Sequence, residues 1–444
     1  MTGERSIIII GGGASGVLLA AHLLRDGGMG VRVTVIERRG EFGVGLAYSA
    51  MQRDHKVNVP ARNMSAFADQ PDHFRAWLVS RGYDPGPDGW WFAPRRLYGS
   101  YLGSLLEEVG RAARGRLLIV NGEAMAVRET ERGISTHLTD GRVLEADLAV
   151  LALGHETQPA RSKGLAVRAG SPQDTPIDPD DPVIILGSGL SMVDAWLSLA
   201  AAGHRGDILV VSRNGLLPQA HHDVPPLQFA AETVPTGKSI VTFLRWFRGQ
   251  LDATIERGGD WRSVVDALRP HSQSIWQNWS ERSRRQFLAH ARPLWNVHRH
   301  RLPPELHDRM TAAIASGQME LIAGYFLDIA KADKGVVATI RRRGSKTTER
   351  IAVSRVYDCG GVSVDVAASS NPVLHDLVSS GRARPDPLRI GLDVSQDCAV
   401  SDAAGKTSSR LFAIGPLTRG RLWEIEAIPD IRIQAAELAA KLRA

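Results

Sequence analysis

The chain has 444 residues, of which 43% are hydrophobic and 23% are charged, and its formal net charge is +6. This length is enough for two or three domains with large cores, and two cysteines are too few for a disulfide scaffold. The arginines are spread along the chain and form no single motif, which argues against a nucleic-acid partner. Glycine turns break the apolar runs, so neither a signal peptide nor a membrane span is expected, and the expected location is cytoplasmic.

The first predicted unit is a strand, a glycine turn and a helix. A run of four isoleucines indicates a buried strand, and Gly11, Gly13 and Gly16 follow it with G-x-G-x-x-G spacing. In this pattern the first glycine permits the turn, the second lets a pyrophosphate approach the backbone, and the third lets helix and strand pack closely. The helix N-terminus offers N–H groups and a positive dipole to phosphate. Glu37 ends the next strand, where an acid binds ribose hydroxyls. The dinucleotide site predicted here comprises Gly11, Gly13, Ala14, Ser15, Gly16, Glu37 and Arg38.

A β-meander and a linker follow the first unit. The meander has a turn at Asp140-Gly141, and the buried strand after it ends in Gly154. The sequence GSPQDTPIDPDDP is rich in proline and aspartate, which indicates a linker.

A second unit then repeats the pattern. The sequence VIILGSG supplies Gly187 and Gly189, but Met192 stands at the third glycine position, which predicts looser helix–strand packing. Ser212 and Arg213 stand where the first unit has its acid. A hydroxyl and a guanidinium suit a 2′-phosphate, so this unit is predicted to bind NADPH. The alternative is that Arg213 is a solvated loop arginine.

The repeat extends to a second meander, which ends in Gly360 and Gly361. Two such units in one chain resemble the two-dinucleotide-binding-domain flavoproteins, among them the flavin-containing, Baeyer–Villiger and N-hydroxylating monooxygenases. Segments such as HKVNVPARNMSAFADQPDHFRAWL and LFAIGPLTRGRLWEIEAIPDIRIQA also resemble a bacterial family of FAD/NAD(P)-binding proteins.

This resemblance implies an α/β fold with two Rossmann-like dinucleotide-binding domains, β-meanders and a helical insertion. The first domain would hold FAD and the second would dock NAD(P)H. We predict an FAD-binding domain in 1–175 that returns in 356–444. The NAD(P)H-binding domain is predicted in 176–355, with the insertion at about 218–318.

The resemblance also implies further cofactor contacts. Asn58 would contact the flavin or the substrate; the alternative is that its amide caps a turn. Arg62 would contact a phosphate; the alternative is that it forms a surface ion pair. Backbone groups at Ala124 and Met125 would bind adenine. Gly415-Pro416 replaces the Gly-Asp of many relatives, so backbone N–H groups near Ile428 to Ile431 would hold the O2 atom of the flavin pyrimidine edge. The remaining predicted cofactor-binding residue is Gly154.

The insertion is predicted to be the substrate cap, because it is helical and rich in tryptophan, histidine and arginine. Its tryptophans are Trp261, Trp276, Trp279 and Trp295. Aromatic rings with fixed cations suit a planar or anionic substrate. Asn58, His298 and Arg299 are the candidate catalytic residues, and His221, His222 and Asp223 are a second candidate cluster for proton transfer. The alternatives are that the tryptophans pack in the core and that the histidine–arginine run is exposed to solvent. No metal site is expected.

The predicted function is that of an FAD-dependent oxidoreductase, with an NAD(P)H-dependent monooxygenase favoured. Its partners would be O2 and a small polar or aromatic substrate, and a homo-oligomer stays open. The linker lacks the F-x-G-x-x-x-H-x-x-x-[WD] signature, which disfavours the flavin-containing and Baeyer–Villiger branches and leaves N-hydroxylation open. An FAD-dependent dehydrogenase or oxidase and a non-catalytic redox sensor are the alternatives. The chain has no C-x-x-C pair, which disfavours a dithiol reductase.

Overall fold

The computed structural model describes residues 4–25, 30–49, 55–157, 164–169, 171 and 174–444. The strands are β1 (Arg5–Ile10), β2 (Val31–Glu37), β3 (Leu117–Asn121), β4 (Ala124–Glu129), β5 (Ile134–Leu138), β6 (Val143–Ala146), β7 (Leu148–Leu151), β8 (Glu156–Thr157), β9 (Ala166–Val167), β10 (Val183–Leu186), β11 (Ile208–Ser212), β12 (Met319–Lys331), β13 (Val336–Arg342), β14 (Glu349–Val353), β15 (Arg355–Asp358), β16 (Val362–Ser363), β17 (Ala399–Ser401) and β18 (Thr407–Ala413). The helices are α1 (Ala14–Leu24), α2 (His73–Ser80), α3 (Arg95–Ala112), α4 (Leu190–Ala201), α5 (Ile240–Glu256), α6 (Trp261–Ala267), α7 (Ser272–Asn278), α8 (Glu281–Gln286), α9 (Arg292–Arg299), α10 (Pro304–Ala315), α11 (Pro372–Ser379) and α12 (Ile428–Arg443).

The chain divides into two units. The first comprises Met1–Glu156, Ser272–Glu281 and Ser363–Ala444, and the second comprises Thr157–His271 and Arg282–Val362. Each unit contains a parallel sheet, strand–helix alternation and a β-meander, which confirms the predicted fold class. The finer domain limits at 175 and 356 stay a prediction.

The parallel sheet of the first unit has the strand order β17-β18-β7-β1-β2-β3. β1 lies inside this sheet, paired in parallel with β2 and with β7. Ile7 and Ile9 pack in a core formed with α1, α3 and α12, whereas Ile8 and Ile10 pack in a second core on the other face. A strand buried on both faces needs an apolar residue at every position, which explains the unbroken isoleucine run.

The meander of the first unit is a separate antiparallel sheet of β4, β5 and β6, and α11 packs beside it. One ion-pair network joins these elements. The Asp376 carboxylate on α11 accepts hydrogen bonds from Arg128 on β4 and from Arg382. These hydrogen bonds and the two guanidinium charges outweigh partial burial, so the pKa of Asp376 is lowered. The network ties the meander to the part of the chain that returns to this unit.

The second unit has a seven-stranded sheet in the order β14-β13-β12-β11-β10-β15-β9. β10 pairs in parallel with β11 and with β15, and β11 pairs in parallel with the first half of β12. The second half of β12, from Gly324 onward, pairs antiparallel with β13, with an irregularity in the register between Phe326 and Asp328. The meander of this unit therefore shares a strand with the parallel sheet.

Helices α5 to α10 lie between β11 and β12, in the part of the chain predicted as the insertion. The segment that contains α7 clusters with the first unit, and the other insertion helices cluster almost entirely with the second. Within the second unit, Ala220 pairs in parallel with Leu302, which ties the start of the insertion to the residues after α9. No helix in the described ranges is both long enough and apolar enough to cross a membrane.

We expect Asp376→Asn to lower the free energy of unfolding by about 1–3 kcal/mol at neutral pH, because two guanidinium groups lose their charged acceptor. The lowered pKa makes this contribution complete above the unfolded-state pKa of about 3.9, and it is lost as the pH falls through the folded-state pKa. Urea denaturation of both proteins at several pH values measures the difference.

Asp140→Asn is the matched control, because Asp140 forms an exposed ion pair with Arg142 in the same meander. It should leave the denaturation midpoint unchanged. An equal loss in both variants, or a loss for Asp376→Asn that persists at low pH, would contradict the assignment.

Candidate functional site

The first glycine turn has the geometry that close packing of strand and helix demands. Gly11 has φ +113°, and a Cβ at Gly11 would lie 2.3 Å from the Ala152 carbonyl oxygen. A Cβ at Gly16 would lie 2.0 Å from the Gly11 carbonyl oxygen. Gly13 precedes the first turn of α1 and has an extended backbone that other residues can adopt. Gly11 and Gly16 are thus required by the fold itself, whereas Gly13 is not.

Glu37 lies beside this turn, at the end of β2. Its Oε2 accepts a hydrogen bond from the backbone N–H of Gly12 at 2.9 Å, and its Oε1 accepts one from Arg39 N–H at 3.1 Å. Each carboxylate oxygen has two acceptor sites, so both can still bind a ribose hydroxyl. Arg38 points elsewhere and pairs with Glu123 at 3.3 Å.

A second glycine-rich loop covers the turn, and the sequence analysis missed it. Gly43 donates its backbone N–H to the Gly12 carbonyl at 2.8 Å and has φ +87°. A Cβ at Gly13 would lie 3.6 Å from the Cα of Gly45, which has φ +48°. The backbones of Gly13 and Gly45 therefore lie close together at the α1 N-terminus, with no side chain between them. A helix N-terminus bordered by glycines allows a pyrophosphate to approach its N–H groups.

Gly415 also lies at the N-terminus of α1, on the return segment of the chain. It has φ +71°, and a Cβ there would lie 2.4 Å from Ser15 Oγ. The Gln434 side-chain oxygen accepts from Gly415 N–H at 2.8 Å, while the Gln434 amide donates to Thr418 Oγ1 at 2.9 Å. This buried network fixes the backbone that replaces the Gly-Asp pair of many relatives.

The first turn of α12 limits which groups can hold a cofactor. The N–H groups of Asp430 and Ile431 both donate to the Ala427 carbonyl at 3.0 Å, and Pro429 has no N–H. The N–H predicted at Ile431 is therefore already used inside the helix, and Ile428 is the residue of this turn whose N–H points out of the helix.

The remaining residues predicted for this site differ in their contacts and in their exposure to solvent. Arg62 stacks on Trp90, with its guanidinium carbon 4.7 Å from the ring centre, and lies 3.9 Å from Asp88. This arrangement is the surface ion pair that was the alternative for Arg62. Asn58 is half-buried in the loop before the 3-10 turn Ala61–Asn63. Of the other three predicted residues, Ala124 is buried, Met125 is exposed, and Gly154 has φ +64° with open space around it.

A chain of polar and aromatic contacts follows Gly154 in the first unit. His155 Nε2 lies 3.7 Å from Glu426, and Glu426 pairs with Arg419 at 2.7 Å. Burial lowers the pKa of His155, an effect that Glu426 opposes. The Arg419 guanidinium lies 5.0 Å from the centre of the Trp423 ring. Apart from His155, this cluster lies in the loop just before α12, and the sequence did not predict it.

Helix α7 packs on the same loop. Trp276 stacks on Trp423 at 4.7 Å between ring centres, and its Nε1–H donates to the Gly420 carbonyl at 2.9 Å. Gln273 donates to the Trp423 carbonyl. Trp276 and Trp279 are both buried, so core packing, the alternative held for them, is correct. Helix α7 thereby supports the backbone that leads into α12.

The second glycine turn differs from the first in its packing. Gly187 has φ +97°, and a Cβ there would lie 2.7 Å from the Cys359 carbonyl oxygen. A Cβ at Gly189 would meet no described atom within 4 Å. Met192 is fully buried in the core between sheet and helices, so this unit accommodates a large side chain where the first requires glycine.

Ser212 is the last residue of β11, beside the second turn, and Arg213 follows it. Ser188 Oγ donates to Ser212 Oγ at 2.9 Å, and Gly215 N–H donates to the same oxygen at 3.1 Å. Ser212 therefore holds the loop in place through its acceptor sites. Arg213 is exposed, and no hydrogen bond or ion pair holds its guanidinium within the described ranges.

The candidate catalytic residues of the insertion gather around Trp261. His298 lies 4.8 Å from the Trp261 ring centre, edge to face, and its Nδ1–H donates to the Leu294 carbonyl at 2.8 Å, so proton transfer would fall to Nε2. Arg299 is buried. His222 of the second candidate cluster lies 3.7 Å from Asp260, the residue that caps the helix beginning at Trp261. The structure thus brings parts of both predicted clusters to one helix end.

The cysteines show no arrangement for dithiol chemistry. Cys359 donates to the Ser191 carbonyl at 3.3 Å, and burial raises the pKa of its thiol to about 12. Cys398 is also unpaired by any disulfide, and burial raises its pKa as well. Among the residues described, no group of three or more histidine, cysteine, aspartate or glutamate side chains could hold a metal ion.

Residues 8–156 match a family model described as FAD-NAD(P)-binding. An uncharacterized protein of Mycobacterium tuberculosis is 22% identical over 93% of this chain and 89% of its own length. A flavin-containing monooxygenase of Arabidopsis thaliana is 26% identical over 45% of this chain and 48% of its own length. The ornithine N-hydroxylase of Kutzneria, solved with reduced FAD, NADP+ and L-ornithine, has a TM-score of 0.69 at 12% identity and covers 99% of this chain and 98% of that one.

These similarities agree with the two glycine turns, the acid after the first and the two meanders. Residues 8–156 thus match the FAD-NAD(P)-binding family, and the chain has a fold similar to that of the Kutzneria flavoprotein.

Proposed function

We propose that the protein is an FAD-dependent monooxygenase that uses NADPH and O2 to oxidise a small molecule. The observation that carries this proposal is the difference between two otherwise similar glycine turns. The first ends its second strand in Glu37, and the second ends its equivalent strand in Ser212, which Arg213 follows. A carboxylate suits a ribose diol, and a guanidinium suits a 2′-phosphate, so the pair fits one FAD and one NADPH.

The residues of the first unit supply the binding of FAD. The glycine-bordered N-terminus of α1 at Gly13 would receive the pyrophosphate. Glu37 would bind the ribose, and Ile428 N–H at the start of α12 would bind the flavin pyrimidine edge. When bound, FAD supplies hydride acceptance and electron transfer to oxygen. Gln434 and Trp276 would fix the backbone on which that contact depends.

Within this class, we propose N-hydroxylation of a small polar substrate. The linker lacks the signature of the flavin-containing and Baeyer–Villiger branches. The Kutzneria neighbour is an ornithine N-hydroxylase. The proposed substrate is a small molecule with an oxidisable amine.

An FAD-dependent dehydrogenase or oxidase that does not use NADPH is the second candidate. The observation in its favour is Met192, since the second turn departs from the three-glycine pattern. The buried Met192 leaves the space at Gly189 open, however, so the departure need not block a nucleotide.

Anaerobic mixing with NADPH or NADH, followed by oxygen, separates the two candidates. A monooxygenase should lose its oxidised-flavin absorbance with NADPH and recover it with oxygen. Oxygen-dependent NADPH consumption with a panel of small amines, together with detection of hydroxylamine products, then tests N-hydroxylation. Reduction by neither nucleotide would favour the second candidate, and hydrogen peroxide as the sole product with every amine would contradict N-hydroxylation.

We expect Gly13→Ala to fold normally and to lose FAD affinity by at least about tenfold, which corresponds to about 1.4 kcal/mol. Its Cβ would be in ordinary contact with Gly45, at 3.6 Å, but would occupy the space into which a phosphate approaches. Flavin content per chain and the melting temperature of the flavin-free protein measure the two effects.

Gly103→Ala is the matched control, because its Cβ has the same 3.6 Å clearance, to the Phe42 carbonyl oxygen, within α3. It should keep its flavin. Gly16→Ala should instead impair folding, because its Cβ would overlap the Gly11 carbonyl oxygen. Full FAD retention by Gly13→Ala would refute the assignment of the pyrophosphate to the α1 N-terminus at Gly13.

We expect Arg213→Ala to weaken NADPH binding roughly tenfold to a hundredfold, since a hydrogen bond between charged groups contributes about 1.5–3 kcal/mol. NADH binding should hardly change. The nucleotide concentration that gives half-maximal flavin reduction measures both. Arg205→Ala, which breaks an exposed pair with Asp180 before β11, is the control. If Arg213→Ala weakened both nucleotides equally, no phosphate contact could be assigned to it.

A further inference from the structure

We propose that the insertion of the second unit holds a binding site for a compact anion, a carboxylate or a phosphate group, at Arg301, Arg262 and Trp261. None of its residues is among those assigned above to either dinucleotide site, and it does not depend on the reaction proposed above. All of its residues belong to the second unit.

The proposal depends mainly on the buried side chain of Arg301. Its side chain is 3% exposed, and one terminal nitrogen, Nη2, bonds to Asp266. Its Nε and Nη1 are buried, and the part of the chain that the structure describes offers them no hydrogen-bond partner. A guanidinium carries five donors and cannot readily lose its charge, so buried donors without acceptors are costly. Proteins leave few such groups, and a bound ligand is one reason for them.

Arg262 shows that the nearby acceptors are already used. Its Nε donates to the Ala220 carbonyl at 2.8 Å, and its Nη1 bonds to both oxygens of Asp260 at 3.0 and 3.2 Å. Asp260 also accepts the backbone N–H of Arg262 and lies near His222. Asp260 is therefore committed to Arg262 and to the start of α6, and it does not serve Arg301.

The electrostatic surroundings favour an added negative charge. Burial lowers the pKa of Arg301, and the charges of Arg299 and Arg262 lower it further, while Asp266 alone raises it. Arg262 and Arg301 both lie over the Trp261 ring, at 4.4 and 5.9 Å from its centre. An anion between these guanidinium groups would satisfy the open donors and offset the repulsion between like charges.

The chemistry of the donors limits the ligand to a small planar or tetrahedral oxyanion. The Trp261 ring lies beside the guanidinium groups of Arg262 and Arg301, which supply the charged contacts of this site. Carboxylate and phosphate oxygens match guanidinium geometry. A cation has no acceptor here that is not already paired with arginine.

The test is the melting temperature of the FAD-loaded protein in acetate or inorganic phosphate, compared with chloride at equal ionic strength. Either anion should raise the melting temperature by at least about 2 °C once its concentration exceeds the Kd roughly tenfold. Arg301→Met should abolish this rise. It should also melt close to the parent in chloride, because the buried donors that it removes have no acceptor among the described residues and the Asp266 carboxylate that it leaves behind is half-exposed.

Arg301→Lys retains the charge and should keep part of the rise. Arg248→Met, on the exposed side of α5, is the matched control and should respond to anions like the parent. A marked loss of melting temperature for Arg301→Met in chloride would overturn the proposal, since it would assign Arg301 a structural role. An unchanged anion response in Arg301→Met, or no response in the parent, would overturn it as well.

A second set of melting-temperature measurements, made with NADP+, identifies the source of the anionic group. If the group is a cofactor phosphate, NADP+ should stabilise the parent and should stabilise Arg301→Met less. If it is the carboxylate of another small molecule, acetate should still stabilise the parent at saturating NADP+, and the NADP+ effect should be equal in both proteins. Neither measurement involves oxygen or turnover, so a failure of the proposed monooxygenase activity would leave this result standing.

Discussion

The close approach of Gly16 to the carbonyl oxygen of Gly11 is the constraint on which the first unit depends. A methyl group at Gly16 would come within 2.0 Å of that oxygen, so α1 can lie this near to β1 only without a side chain there. The nearness lets α1 bury its whole length among β1, α3 and α12. It also holds the N-terminus of α1 at the carboxyl edge of the parallel sheet, where Glu37, Gly415 and the Gly43–Gly45 loop converge.

The second unit reaches a related geometry with a different contact. There, the glycine turn is fixed by the approach of Gly187 to Cys359, and the helix is far enough away to bury Met192. The first turn is enclosed by another loop, whereas the space at Gly189 is open. An enclosed turn suits a cofactor that stays bound, and an open one suits a nucleotide that must enter and leave in each cycle.

The sequence was sufficient for the parts of the molecule that local patterns determine. The isoleucine strand, both glycine turns and the two meanders follow from apolar runs and glycine spacing, and the structure confirms the fold class. The sequence was insufficient where contacts join distant residues. The partner of Arg62, the hydrogen bond inside α12 that uses Ile431 N–H, and the packing of α7 on Trp423 depend on tertiary structure. The Gly43–Gly45 loop did have a local signal, because its glycines are closely spaced, but only the fold brings them to Gly13.

Along the sequence, the second unit lies between segments of the first, and this order affects how the chain folds as it is synthesised. β18 completes the first sheet beside β7, and Arg443 at the end of α12 donates to the carbonyl groups of His22 and Leu23 at the end of α1. Residues at the start of the chain must therefore wait for partners more than 400 positions later. The whole second unit lies between Thr157 and Val362 and has emerged well before then. The nested unit can fold first, and until α12 arrives the apolar face of α1 needs protection from aggregation.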